Sequence, residues 1–119
     1  MREHRVLIDR PEAKGGSDAG PMGGELFLAS IGGCFMSNLL AAAKARNLDL
    51  SGLRVEVTGE LAPAPDRFVS VALAVSAAHA NPAELAKVVE VAGRGCIMMN
   101  TLRGKLEIRT DILPASVSR

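Results

Sequence analysis

Two cysteines in unlike settings carry the chemistry that this sequence offers. Cys34 lies in the apolar run Leu26-Phe-Leu-Ala-Ser-Ile-Gly-Gly-Cys-Phe-Met-Ser-Asn-Leu-Leu, and Cys96 follows a glycine-punctuated helix end, Gly93-Arg-Gly-Cys-Ile-Met-Met-Asn-Thr-Leu-Arg. One thiol inside a helix and another at the mouth of a second suggest an attacking and a resolving sulfur. They stand 62 positions apart, so only the fold decides whether they meet. Taken singly, either cysteine is better explained as a small packing hydrophobe. A reactive thiol needs a lowered pKa. If Cys96 opens a short helix, its sulfur faces unsatisfied backbone N–H groups there. Cys34, in mid-helix, gains little from that source and calls for an imported cation. Ten arginines against four lysines are the supply, and a guanidinium also suits an anionic leaving oxygen.

No competing catalytic set is present. The two histidines, His4 and His79, lie far from either cysteine in sequence. Positions 4, 34, 79 and 96 match no zinc spacing, and no C-x-x-C, HExxH or phosphate-loop motif occurs, so no metal site is expected. His79 reads as a strand terminator and His4 as a surface residue.

At 119 residues the chain is read as one domain, 1–119. Apolar residues make up 48%, with no Trp or Tyr and only Phe27, Phe35 and Phe68, so the core must be aliphatic. So few aromatics disfavour base stacking, and a net charge of +1 leaves no footprint for nucleic acid or anionic lipid. Two cysteines are too few for a secreted disulfide scaffold, and the first residues show no signal peptide. A cytoplasmic protein is expected. Residues 26–43 form an uncharged stretch of 18, near the lower limit for a membrane span. Ser30, Gly32, Gly33, Ser37 and Asn38 interrupt it, and it reads as a buried helix of a globular protein or an oligomer.

The elements follow from pattern. His4 to Asp9 reads as a short strand stopped by Pro11. Pro11 to Gly24, with five glycines and two prolines, reads as a flexible surface loop, tight turns being the alternative. Glu25 to Arg46 is the long helix, with Gly32-Gly33 costing roughly 1 kcal/mol each against alanine. Leu53 to Glu60 and Phe68 to Ser76 alternate as strands of an antiparallel hairpin around the Ala62–Arg67 turn. Asn81, Pro82 and Glu84 mark a capped helix start. Leu85, Val88, Val89 and Ala92 are its buried stripe, and Gly93 and Gly95 its end. Ile97 to Leu102 adds a helical turn or two, Lys105 to Ile112 a last strand, and 115–119 a frayed tail. The order β-α-β-β-α-α-β is that of an α+β domain with a four-stranded sheet. One such sheet cannot cover a helix apolar on so many sides, which predicts a homodimer.

Three segments together resemble the OsmC/Ohr family. They are Gly20-Pro-Met-Gly-Gly-Glu-Leu-Phe-Leu-Ala-Ser-Ile-Gly-Gly-Cys34, Leu53-Arg-Val-Glu-Val, and Gly95-Cys96-Ile-Met-Met-Asn-Thr-Leu. The resemblance implies an intertwined homodimer in which a long central helix is held against mixed or antiparallel sheets. It implies a two-cysteine site at the subunit interface that reduces organic hydroperoxides. Cys34 would attack the peroxide and become a sulfenic acid, and Cys96 would condense with it to a disulfide. Phe27, Phe35, Met36 and Met98 would line an apolar substrate pocket. No cofactor is implied beyond an external dithiol reductant. The family's activating arginine sits on an N-terminal hairpin that this chain starts too late to contain, leaving Arg5 or Arg10 as substitutes. Its glutamate often falls at the position of Gly24, one before Glu25, and proline is common where Ile97 stands. The alternative is a non-catalytic dimer on the same scaffold that binds an apolar small molecule.

Overall fold

Glu25 sets the start of the long helix by accepting the Met22 N–H at 2.8 Å, while Leu26 N–H bonds back to the Met22 carbonyl. The computed structural model describes residues 2–78 and 81–114. In it α1 runs Gly23–Ala45, two residues earlier than its sequence pattern suggests because the cap lies at Met22. β1 (Arg54–Ala62) and β2 (Arg67–Ser76) form the expected antiparallel hairpin, with Val57 opposite Leu73. α2 (Pro82–Gly95) and α3 (Ile97–Leu102) then carry the chain across to β3 (Glu107–Ile112), which lies parallel to β2. A parallel neighbour requires such a crossover. The sheet is mixed, in the order β1-β2-β3.

The cap of α2 forms as its sequence demands. Asn81 Oδ1 accepts from the N–H groups of Ala83 (2.9 Å) and Glu84 (3.1 Å), and Pro82 opens the helix. Leu85, Val88 and Ala92 bury one stripe of it. They share one buried core with Ile31, Phe35 and Leu39 of α1, Val71, Leu73 and Val75 of β2, and Cys96 and Met99. Phe35 is the one aromatic in this aliphatic interior, and Phe27 stacks on Phe68 at its margin, ring centres 5.2 Å apart.

The two helix glycines part company. A Cβ at Gly32 would stand 2.6 Å from Val57 Cγ2, so glycine lets α1 settle onto β1. Gly33 has open space in front of it. It belongs to an outer face of α1, with Ala29, Ser30, Ser37, Leu40 and Ala41, that the single chain leaves exposed. α1 is long and apolar enough to cross a membrane. Its Ile31-Phe35-Leu39 stripe is nevertheless fully buried, as in the core helix of a globular domain.

Two expectations are corrected. His4 to Asp9 forms no strand, and among the described residues the sheet has three strands rather than four. A short apolar run supplies a surface but no ladder partner, and the loop that does come alongside, with the Asp9 N–H on the Pro21 carbonyl at 3.0 Å, forms no strand with it. Val6, Leu7 and Ile8 therefore stay 46%, 65% and 53% exposed. The glycine-rich loop is tightly built rather than loose. The Asp9 carboxylate accepts N–H groups from Arg10 (2.7 Å), Ser17 (3.1 Å) and Ala19 (3.0 Å). These donors, Ala19 foremost, hold its pKa below the ordinary carboxylate value. A Cβ at Gly16 would collide with the Arg10 carbonyl, and one at Gly20 with that of Leu7. A turn, Glu12–Lys14, sits within the loop. The expectations for His79 and for the 115–119 tail lie outside the described residues.

Gly32→Ala is expected to lower stability by about 1–3 kcal/mol, since Val57 is branched and packed and cannot retreat freely. Asn81→Ala should lower it by about 1 kcal/mol through the lost cap. Thermal or urea melts check both, and an unchanged Gly32→Ala midpoint would contradict the close α1–β1 contact.

Candidate active site: a polarised pair of thiols

Cys34 stands on the flank of the buried α1 stripe, half-exposed, while Cys96 occupies the elbow between α2 and α3 with no solvent exposure. Cys96 closes one helix and opens the next, its backbone extended at φ −78°, ψ 118°. Packing of α2 and α3 on α1 lays this elbow over Cys34. The two thiols are near enough to bias each other's ionisation, and both are reduced.

Their surroundings pull them in opposite directions. The Met98 N–H, in the first turn of α3, is the largest influence on Cys34. It outweighs partial burial and is joined by the Cys96 thiol and the Ile97 N–H, so the Cys34 pKa falls below the ordinary thiol value. Burial is the largest influence on Cys96 and raises its pKa. The Met99 N–H, next in size, opposes this, while donating to Cys34 and facing its charge push the pKa further up against a last, small help from the Met98 N–H. Cys34 is therefore the readier thiolate and Cys96 the reluctant one.

This corrects the assignment of electrostatic support. The helix-mouth N–H groups expected to serve Cys96 do act on it, through Met99 and Met98, but Met98 and Ile97 also serve Cys34, which was expected to gain little, because α3 folds back over α1. No guanidinium contributes to lowering the Cys34 pKa. Among the described residues the side chains of Arg5 and Arg10 enter no hydrogen bond or ion pair, and both residues are exposed on the N-terminal segment. The Glu25 carboxylate is engaged by the Met22 N–H at the helix start. Of the residues expected to line a pocket, Phe35 is fully buried in the core, whereas Phe27, Met36 and Met98 are half-buried.

Two features escaped the sequence. Asn38, one turn beyond Cys34, donates to the Cys34 carbonyl at 2.9 Å and faces its sulfur at 3.9 Å. Its Oδ1 would lie 3.3 Å from a Cβ at Gly95, so that glycine admits the carboxamide beneath the elbow. A polar residue four places after a cysteine inside an apolar run was the available signal. The second is a cavity of about 300 Å³ on the far side of the elbow. Val89, Met99, Leu106 and Ile108 help to line it, Arg94 and Arg103 stand at its rim, and neither cysteine reaches it. Among the described residues no cluster of three or more His, Cys, Asp or Glu side chains could hold a metal ion.

The sequence profile of the OsmC-like protein family matches residues 15–111. The chain belongs to that family. Three solved structures share its fold. An OsmC-like protein from Mycoplasma pneumoniae superposes with a TM-score of 0.82 at 19% identity, over 95% of this chain and 84% of that one. An organic hydroperoxide resistance protein OsmC from Legionella pneumophila gives 0.74 at 22% identity, over 92% and 82%. The organic hydroperoxide resistance protein OhrB of Bacillus subtilis gives 0.70 at 20% identity, over 91% and 80%. No curated protein sequence shows a significant match. At these identities the likeness establishes the OsmC fold, and the chemistry rests on this chain's own residues.

Ile97→Pro isolates one of the groups acting on Cys34. It removes the Ile97 N–H at the first position of α3, where proline is tolerated, and the extended Cys96 backbone already suits a residue before proline. The pH midpoint for iodoacetamide labelling of Cys34 should rise, with the helix retained. In the unaltered protein Cys34 should label before Cys96 near neutral pH, because the lower pKa leaves more thiolate there. Peptide mass spectrometry reads both, and preferential labelling of Cys96 would contradict the polarity described.

Proposed function

We propose that this OsmC-family protein is a thiol-dependent peroxidase that reduces organic hydroperoxides through a Cys34–Cys96 disulfide cycle. The observation that carries the proposal is the opposite bias of two neighbouring thiols, the accessible one acidified and the buried one held protonated. In the first step the Cys34 thiolate attacks the terminal peroxide oxygen. The O–O bond breaks, the alkoxide leaves and takes a proton from water, and Cys34 becomes a sulfenic acid. In the second, the Cys96 sulfur attacks the Cys34 sulfur, the S–O bond breaks, and hydroxide leaves with the Cys96 proton as water. An external dithiol then exchanges with the disulfide and returns both thiols, itself becoming a disulfide.

The apolar flanks of Cys34 favour an alkyl or aryl hydroperoxide over hydrogen peroxide, with Phe27, Met36 and Met98 the half-buried side chains on hand. Keeping the resolving thiol neutral and dry protects it from attack by peroxide until Cys34 has turned over. The hydroperoxide-resistance names of the Legionella and Bacillus relatives agree with this reading.

A homodimer is part of the proposal. The single chain exposes the outer face of α1, including Leu40 at 48%, and the extended arm Val6-Leu7-Ile8. A second copy would cover both, and the arm carries Arg5 and Arg10, the guanidinium groups offered to the leaving oxygen. A cytoplasmic setting, where reducing dithiols are supplied, completes it.

One equivalent of cumene hydroperoxide added to the reduced protein should lower its intact mass by two hydrogens and consume both thiols. Cys34→Ser should abolish peroxide reduction, and Cys96→Ser should stop at a sulfenic acid that dimedone traps. A Cys34→Ser protein as fast as the unaltered one rules the mechanism out. Sedimentation velocity tests the dimer: Leu40→Glu, placing a charge on the outer face of α1, should shift the protein to monomer. Identical sedimentation of the variant as a dimer would place the interface elsewhere.

A further inference from the structure

The elbow that presents Cys96 ends α2 without a left-handed cap, since Cys96 itself is extended. The last carbonyls of α2 thus need partners from elsewhere. Side chains of the next helix provide them. Asn100 Nδ2 donates to the Arg94 carbonyl at 3.0 Å. Arg103 Nη2 donates to Asn100 Oδ1 at 2.8 Å and reaches the Gly93 carbonyl at 3.5 Å. The Asn100 backbone N–H meanwhile bonds the Cys96 carbonyl at 2.9 Å. Asn100 therefore straddles the cysteine, gripping the chain two residues before it and at the cysteine itself. Nothing else bridges the two helices across this point by side-chain hydrogen bonds among the described residues.

We propose that Asn100, braced by Arg103, is the positioning residue that presents Cys96 to Cys34 for disulfide formation. The inference rests on the thiol-pair reading above, and neither side chain touches the reacting sulfurs. Its action is on the angle of the elbow. A carboxamide is required because the position must donate to one carbonyl and accept from one guanidinium at once. An aspartate keeps the second contact and loses the first.

The test uses the folded protein in a glutathione redox buffer, where one glutathione disulfide and two protein thiols give the protein disulfide and two glutathione thiols. Intact mass gives the equilibrium constant. Asn100→Ala and Arg103→Ala are each expected to lower it by about tenfold, the loss of one or two hydrogen bonds from the paired geometry. Arg103→Lys, which retains a donor, should recover most of the loss. Arg94→Ala, whose side chain makes only a long 3.9 Å contact to Glu90, should match the unaltered protein. With hydroperoxide as oxidant, the alanine variants should accumulate a dimedone-trappable Cys34 sulfenic acid. Unchanged equilibrium constants in both alanine variants overturn the proposal, as does an equal fall in Arg94→Ala. Should Asn100→Ala lose its melting transition, the Arg103 alanine and lysine pair decides by the same criterion. A protein that forms the disulfide from glutathione disulfide but never from hydroperoxide ends the peroxidase reading and leaves the positioning role intact. One that forms no disulfide in either reagent ends both.

Discussion

The packing of the α2–α3 elbow against α1 is the contact on which the rest depends. Ile31, Phe35 and Leu39 recur at the four-residue spacing that stacks one helix face, and they share one buried core with Leu85, Val88 and Ala92 along α2. Each of the larger of these side chains contributes about 1.5–3 kcal/mol from its buried apolar area, Ala92 less. That driving force is far larger than anything two thiols supply. The cysteines are therefore placed by the core: Cys34 next to Phe35 in α1, and Cys96 in the same buried cluster as Ala92 and Met99. Proximity of the sulfurs comes as a consequence of burying hydrocarbon.

The same packing divides one chemical group into two roles. Two isolated thiols in water ionise alike. Here the first turn of α3 directs N–H groups at the partly exposed sulfur, whereas desolvation dominates at the enclosed one. Each thiol's effect on the other widens the difference, lowering the pKa of Cys34 and raising that of Cys96. Backbone amides achieve this without a charged side chain at the site. That matters in a chain whose Arg5 and Arg10 side chains are unengaged.

Much of this was legible from the residues and some was not. The Asn81-Pro82 cap, the Leu85-Val88-Ala92 stripe, the hairpin and the last strand are local patterns, and each forms close to its expected place. The cysteine pair was recognisable through family resemblance, although spacing alone could not show contact across 62 positions. The source of the Cys34 shift was not legible, because backbone N–H groups leave no mark in a sequence and their aim depends on the turn at Cys96. The glycine-rich loop misled for a related reason. Its order comes from one carboxylate, Asp9, gathering three amides, and glycine there reflects crowding at Gly16 and Gly20 rather than slack.

The failed strand at His4 to Asp9 has a different cause, and it joins the fold to the chemistry. A run of apolar residues specifies a surface to be covered, and a strand forms only where another backbone offers its ladder of hydrogen bonds. Within one chain the glycine-rich loop comes alongside, the Asp9 N–H bonding the Pro21 carbonyl at 3.0 Å, but no ladder forms, and Val6, Leu7 and Ile8 lie open, as does the outer side of α1. Both surfaces are apolar, and one molecule cannot hide either by rearranging side chains alone. A second copy would satisfy them together. Arg5 and Arg10 flank the same arm, so the sheet partner that the arm lacks and the cation that the thiol site lacks would arrive in one event. Completion of the core and completion of the active site would then be coupled, and a protomer on its own would hold a polarised thiol pair without the charge to receive its leaving group.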